Sequence, residues 1–88
     1  MRVIVERVVL DVLKPRELAS ADLAENLCLL DGVEKVNVIV KEVDARTETI
    51  RLIVEGADIQ ISDVLERLDE IGCAVRSVDS VTARKTEE

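Results

Sequence analysis

Apolar and polar positions fall into six blocks, four with strand periodicity and two with helical periodicity. Residues 3–14 (VIVERVVLDVLK) are β-branched and rich in Val, which predicts a strand. Val8, Leu10 and Val12 alternate with Val9, Asp11 and Leu13, so both of its faces are largely apolar. Pro15 ends it. In residues 19–31, Leu23, Ala24, Leu27 and Leu30 make one stripe at helical spacing. Ala19 or Ser20 begins this helix, Ser20 is placed to cap its first turn, and Gly32 is a natural stop. Residues 33–44 predict a second strand, with Val36, Val38 and Val40 on one face and Asn37, Ile39, Lys41 and Val43 on the other. Residues 47–56 predict a third, with Ile50, Leu52 and Val54 opposite Arg51, Ile53 and Glu55. Residues 60–71 predict a second helix on the stripe Ile61, Val64, Leu65, Leu68 and Ile71, stopped by Gly72. Residues 73–84 predict the last strand, and residues 85–88 a polar, frayed tail.

The order βαββαβ repeats one plan twice: strand, helix, glycine stop, strand. This predicts a single ferredoxin-like α+β domain over residues 1–84. Its four-stranded antiparallel sheet has the order 4-1-3-2, and two helices cover one face. The uncovered face carries Val9, Leu13, Ile39, Val43 and Ile53 among Asp11, Lys41, Arg51 and Glu55. That pattern is too apolar for a solvated sheet and too charged for a plain core. A homo-oligomer interface on these five apolar residues is the expectation.

Composition narrows the chemistry. The chain has 88 residues, 48% hydrophobic and 35% charged, and a net charge of −7. An acidic protein without Phe, Tyr or Trp lacks both the charge and the stacking platforms for nucleic acid, and its charge opposes an anionic membrane surface. The absence of His removes imidazole catalysis and imidazole metal ligands. Cys28 and Cys73 each sit in an apolar segment and form no Cys-x-x-Cys motif; buried free thiols are the expectation. The first apolar stretch is interrupted by Glu6 and Arg7, unlike a secretory leader, and a cytoplasmic location is expected. A small domain with no aromatic ring needs a staple, and by elimination the staple is self-association.

Several segments together resemble an archaeal family known as domain of unknown function 211. They are Val9-Leu10-Asp11-Val12-Leu13-Lys14-Pro15, Gly32-Val33 with Val36-Asn37, Glu42-Val43-Asp44 with Thr47-Glu48, Val54-Glu55-Gly56, and Ser77-Val78-Asp79-Ser80-Val81. The likeness covers nearly the whole chain, and its first and last segments are the most specific. It implies a ferredoxin-like fold, homo-oligomers and no established activity. Where the family tends to have His before the last segment, this chain has Arg76, so no metal or proton-transfer role of that His carries over.

The chemistries that this fold commonly hosts lack their residues here. The junction Leu13-Lys14-Pro15-Arg16 has no glycine to cradle an acyl phosphate and no thiolates to carry a heavy metal, and two cysteines cannot hold an iron–sulfur cluster. No catalytic residues are assigned, and a carboxylate-based enzyme is the least favoured alternative. Two candidate sites survive. Asp11 and Asp79, on strands expected to be neighbours, with Glu42 and Asp44, form a candidate Ca²⁺ or Mg²⁺ site. The competing reading for Asp11 and Asp79 is ion pairing with Lys14, Arg51 or Arg76, and for Glu42 and Asp44 a solvated hairpin end. Lys14 and Pro15, with Arg76, are candidate ligand-binding residues, by analogy with regulatory sandwiches of the same fold that bind effectors between subunits. The leading expectation is a non-enzymatic homo-oligomeric module, closing into a ring, that binds a small effector or a divalent cation between subunits. The alternative is an oligomer with a purely scaffolding role.

Overall fold

The computed structural model describes residues 1–87. Its elements are β1 (Arg2–Pro15), α1 (Ser20–Cys28), β2 (Lys35–Val43), β3 (Thr47–Glu55), α2 (Ile61–Glu70) and β4 (Ala74–Thr86). They form one antiparallel sheet in the order β2-β3-β1-β4, with α1 over the β2 side and α2 over the β4 side. This is the expected ferredoxin-like α+β sandwich.

Register explains the core. Val8, Leu10 and Val12 of β1 stand opposite Val54, Leu52 and Ile50 of β3, and directly opposed residues share a face. Leu23 and Leu27 of α1 and Val64 and Leu68 of α2 close over them. Each helical pair is four residues apart, one above the other on a single stripe. Arg67 stitches the helices together: its Nη1 donates to Asn26 Oδ1 at 2.6 Å and to the Asn26 carbonyl at 3.3 Å.

The helix ends differ from expectation in two ways. α2 stops as predicted: Cys73 N–H reaches the Leu68 carbonyl at 2.9 Å and Gly72 N–H the Asp69 carbonyl at 3.1 Å, with Gly72 at φ 87°. This paired closure needs a left-handed residue, which glycine supplies. α1 instead ends at Cys28, short of residue 31, because Leu29 and Leu30 N–H turn to the carbonyls three residues back. Cys28 is therefore exposed, against the expected burial, while Cys73 is buried. Ser20 does not cap α1: Ala19 holds the cap position and no side-chain cap bond forms.

Four residues are skipped in the strand register: Glu6 of β1, Lys41 of β2, and Arg76 and Asp79 of β4. Such bulges bend a strand and re-aim its side chains. β4 also runs further than expected. Lys85 pairs with Val3 and Thr86 with Arg2, so the tail predicted from residue 85 is largely strand; residue 88 lies outside the described residues. These long strands stretch the molecule to 48 × 22 × 17 Å.

Candidate functional site

On the face turned away from the helices, Asp11 of β1 and Arg51 of β3 are direct cross-strand partners. A cavity of about 300 Å³ opens over them. Thr49 adds to its floor, and Lys41 and Glu42 from β2 and Arg76 and Asp79 from β4 form its sides. The cavity thus crosses all four strands. Three of the four skipped residues, Lys41, Arg76 and Asp79, line it; the bulges turn charged residues of both edge strands toward one place.

Opposite charges meet here only loosely. Arg76 Nε lies 4.0 Å from Asp11 Oδ2, and Arg76 Nη1 lies 3.5 Å from Thr49 Oγ1. Asp79 Oδ1 accepts the Ser77 hydroxyl at 2.7 Å. Among the described residues, Lys41, Glu42 and Arg51 have no ion pair or side-chain hydrogen bond.

The four carboxylates expected to form a cation site are not one group. Asp11, Asp79 and Glu42 line the cavity, but among the described residues no cluster of three or more Asp, Glu or Cys is close enough to hold a metal ion. Asp44 stands at the β2–β3 turn, where its N–H donates to the Thr47 carbonyl at 2.8 Å.

Lys14, expected to bind a ligand, is instead turned inward. It is only 1% exposed. Its ammonium donates to the carbonyls of Pro15 and Leu18 and pairs with Glu48 Oε1 at 2.9 Å. An ammonium has three donors, and all three are used, so Lys14 has none left for a ligand. It pins the β1–α1 junction, of which Pro15 is part. Arg76, the third candidate, is exposed on the cavity wall.

The expected apolar interface divides. Val9 is buried between Ile53 and Ser80 of the neighbouring strands, and Leu13, Ile39 and Ile53 are half-buried. Val43 is not on that face. The bulge at Lys41 sets it opposite Glu48, which in turn faces Lys14, so Val43 lies on the helix side. Exposed apolar surface lies on both edge strands: on β2 Val40 is 44% and Val43 55% exposed, and on β4 there is the pair Val78, 45% exposed, and Val81, 49% exposed. Val78 and Val81 lie on the helix side, opposite Leu10 and Val8, at the outer edge of the sheet. Beside them, Leu65, Cys73, Val75 and Val78 line a groove of about 350 Å³ between α2 and β4. The signal for this was present in the sequence: Val75, Val78 and Val81 recur every third residue. A regular strand alternates every second residue, so one shared face requires bulges between them.

Cys73 lies in that groove, and burial pushes its thiol above its ordinary value, partly offset by the nearby Lys14 charge. That is the opposite of an activated thiolate. No helix among the described residues is long and apolar enough to cross a membrane.

Comparison with known proteins adds two findings. Residues 6–86 match a family described as uncharacterized ArCR, domain of unknown function 211. An uncharacterized protein of Methanocaldococcus jannaschii is 35% identical over 81 residues, covering 92% of this chain and 84% of the relative.

Proposed function

This chain belongs to the domain of unknown function 211 family, and we propose that it works as a cytoplasmic, non-enzymatic module that assembles with copies of itself and binds a small effector. The observation that supports this reading is β4. It is a 13-residue edge strand, none of whose residues is buried. Its outer backbone groups have no strand beyond them, and such an edge is a template for pairing with another chain. Val78 and Val81 add apolar surface beside it.

The other edge, β2, has nine residues and a different sequence. Joining two unlike edges head to tail gives a heterologous contact, which closes into a ring when the rotation allows. A ring is therefore the assembly we favour. A divalent cation is the weaker ligand, because the described residues of one protomer gather no cluster of three carboxylates; a second copy would have to complete the site.

Native mass spectrometry tests the assembly. The wild type should appear at a multiple of the 9.7 kDa chain, and Val78→Glu and Val81→Glu should each shift it toward that single-chain mass. A monomeric wild type sinks the proposal, and full-size assemblies of both variants would move the contact away from β4. An assembly with no extra mass before and after chelator treatment favours scaffolding over effector binding.

A further inference from the structure

From the cavity on the open sheet face we infer a binding site for a polar α-amino acid. The inference rests on the effector-binding reading and names the ligand and the place. The cavity lies within one protomer, so it does not need the assembly.

Asp11 and Arg51 are direct partners on neighbouring strands of one face. Opposite charges so placed normally close on each other. Here they do not: Asp11 leans toward Arg76 at 4.0 Å, and Arg51 pairs with none of the described residues. The guanidinium and the carboxylate are left unpaired with each other, and both line the cavity.

The lining is dipolar. Lys41 and Arg51 stand on the β2–β3 half, and Asp11 and Asp79 on the β1–β4 half. With Glu42 and Arg76 the lining carries three cations and three anions. A simple anion or cation would meet as much repulsion as attraction. A molecule with both charges on adjacent groups meets attraction at each end. The α-carboxylate takes the Arg51 guanidinium, whose fork accommodates two carboxylate oxygens. The α-ammonium has three donors and takes Asp79 and Asp11. The ligand side chain then runs toward Lys41, Glu42 and the Thr49 hydroxyl, which favour a polar group. A volume of about 300 Å³ is at the small end of ligand pockets, the size of a single metabolite.

The bulges supply an independent argument. Here irregularities in β2 and in β4 turn Lys41, Arg76 and Asp79 to the same cavity, and bulges are over-represented beside functional sites.

The test is an NMR titration of the ¹⁵N-labelled full chain with L-serine, L-asparagine and L-glutamine. The two controls are N-acetyl-L-glutamine, which lacks the ammonium, and L-glutamine methyl ester, which lacks the carboxylate. At least one free amino acid should shift the amides of Asp11, Thr49, Arg51 and Arg76, and the blocked forms should not. Arg51→Met and Asp79→Asn, both at exposed positions, should keep the wild-type melting midpoint and weaken binding about tenfold or more, the loss of a charge-assisted contact. The inference is overturned if no free amino acid shifts these amides, if the blocked forms shift them equally, or if both variants bind like the wild type. The same titration on Val81→Glu, with its native mass, separates the two proposals: shifts without assembly leave this inference standing alone, and assembly without shifts removes it alone.

Discussion

Leu10 of β1 and Val78 of β4 face each other across adjacent strands on the same side of the sheet. Leu10 is 0% exposed and Val78 45%. Their strands are alike in length, 14 and 13 residues, with five Val in β1 and three in β4, yet six residues of β1 are buried and none of β4. The difference is in the neighbours. β1 has a strand on each side and helices above. β4 has one strand, and α2, at ten residues, spans only about 15 Å of a strand more than twice as long. A valine is buried by what surrounds it, so β4 leaves apolar surface exposed while β1 spends its own on the core.

The sharpest way to break this comparison is to truncate both partners. Leu10→Ala should cost about 2–5 kcal/mol, because it opens a cavity in an aliphatic core with no aromatic ring to relax into it. Its thermal midpoint should fall by at least about 10 °C, read by circular dichroism. A loss below about 1 kcal/mol would mean that the β1 face is not the packed core described.

Lys14→Met should rank next, at about 3 kcal/mol in urea unfolding. It leaves the Leu18 and Pro15 carbonyls and Glu48 without their donor. A near-neutral result would show that water replaces the ammonium and that the β1–α1 junction is not pinned there.

Cys73 and Cys28 compare the groove with the helix end. Alkylation of the native protein should modify exposed Cys28 first and Cys73 only on unfolding. The linkage has a definite sign. Cys73 is raised above its ordinary 9.0 in the folded protein, so its contribution is fully present below pH 9 and is lost as pH rises through the folded value. The stability gap between the wild type and Cys73→Ala should therefore narrow above pH 9. A gap that is constant to pH 11 would place the thiol in a solvated setting.

Val78→Ala in the Val81→Glu background should have the smallest effect, under about 1 kcal/mol, since Val78 is 45% exposed in the single chain. A loss as large as that of Leu10→Ala would show that β4 is covered within a single protomer.

Much of the fold was legible because periodicity reports local geometry. The alternation of Val8, Leu10 and Val12 and of Ile50, Leu52 and Val54, with the two leucine-rich helical stripes, determined the element order and, with right-handed crossovers, the strand order. Gly72 marked the end of α2 for the same reason: its left-handed φ is a local property. Composition by itself also excluded imidazole chemistry and aromatic base stacking.

The candidate site was less legible. The candidate carboxylates Asp11 and Asp79 do share one cavity, but Lys41 and Arg51 entered only as interruptions of an apolar face. Lys14 read as a ligand-binding candidate at a junction, or as an ion-pair partner of Asp11 or Asp79, whereas tertiary packing gives its three donors the Pro15 and Leu18 carbonyls and Glu48. Val43 read as open-face and lies on the helix side. Each departure has a non-local cause. A bulge arises where two strands must match lengths and twist, and one skipped residue reverses the face of every side chain beyond it. Local pattern therefore set which segments are strands and helices, and in what order. Which charges converge on the cavity, and which valines stay exposed on β4, was decided by register and by the reach of the helices over the sheet, which exist only once the chain is folded.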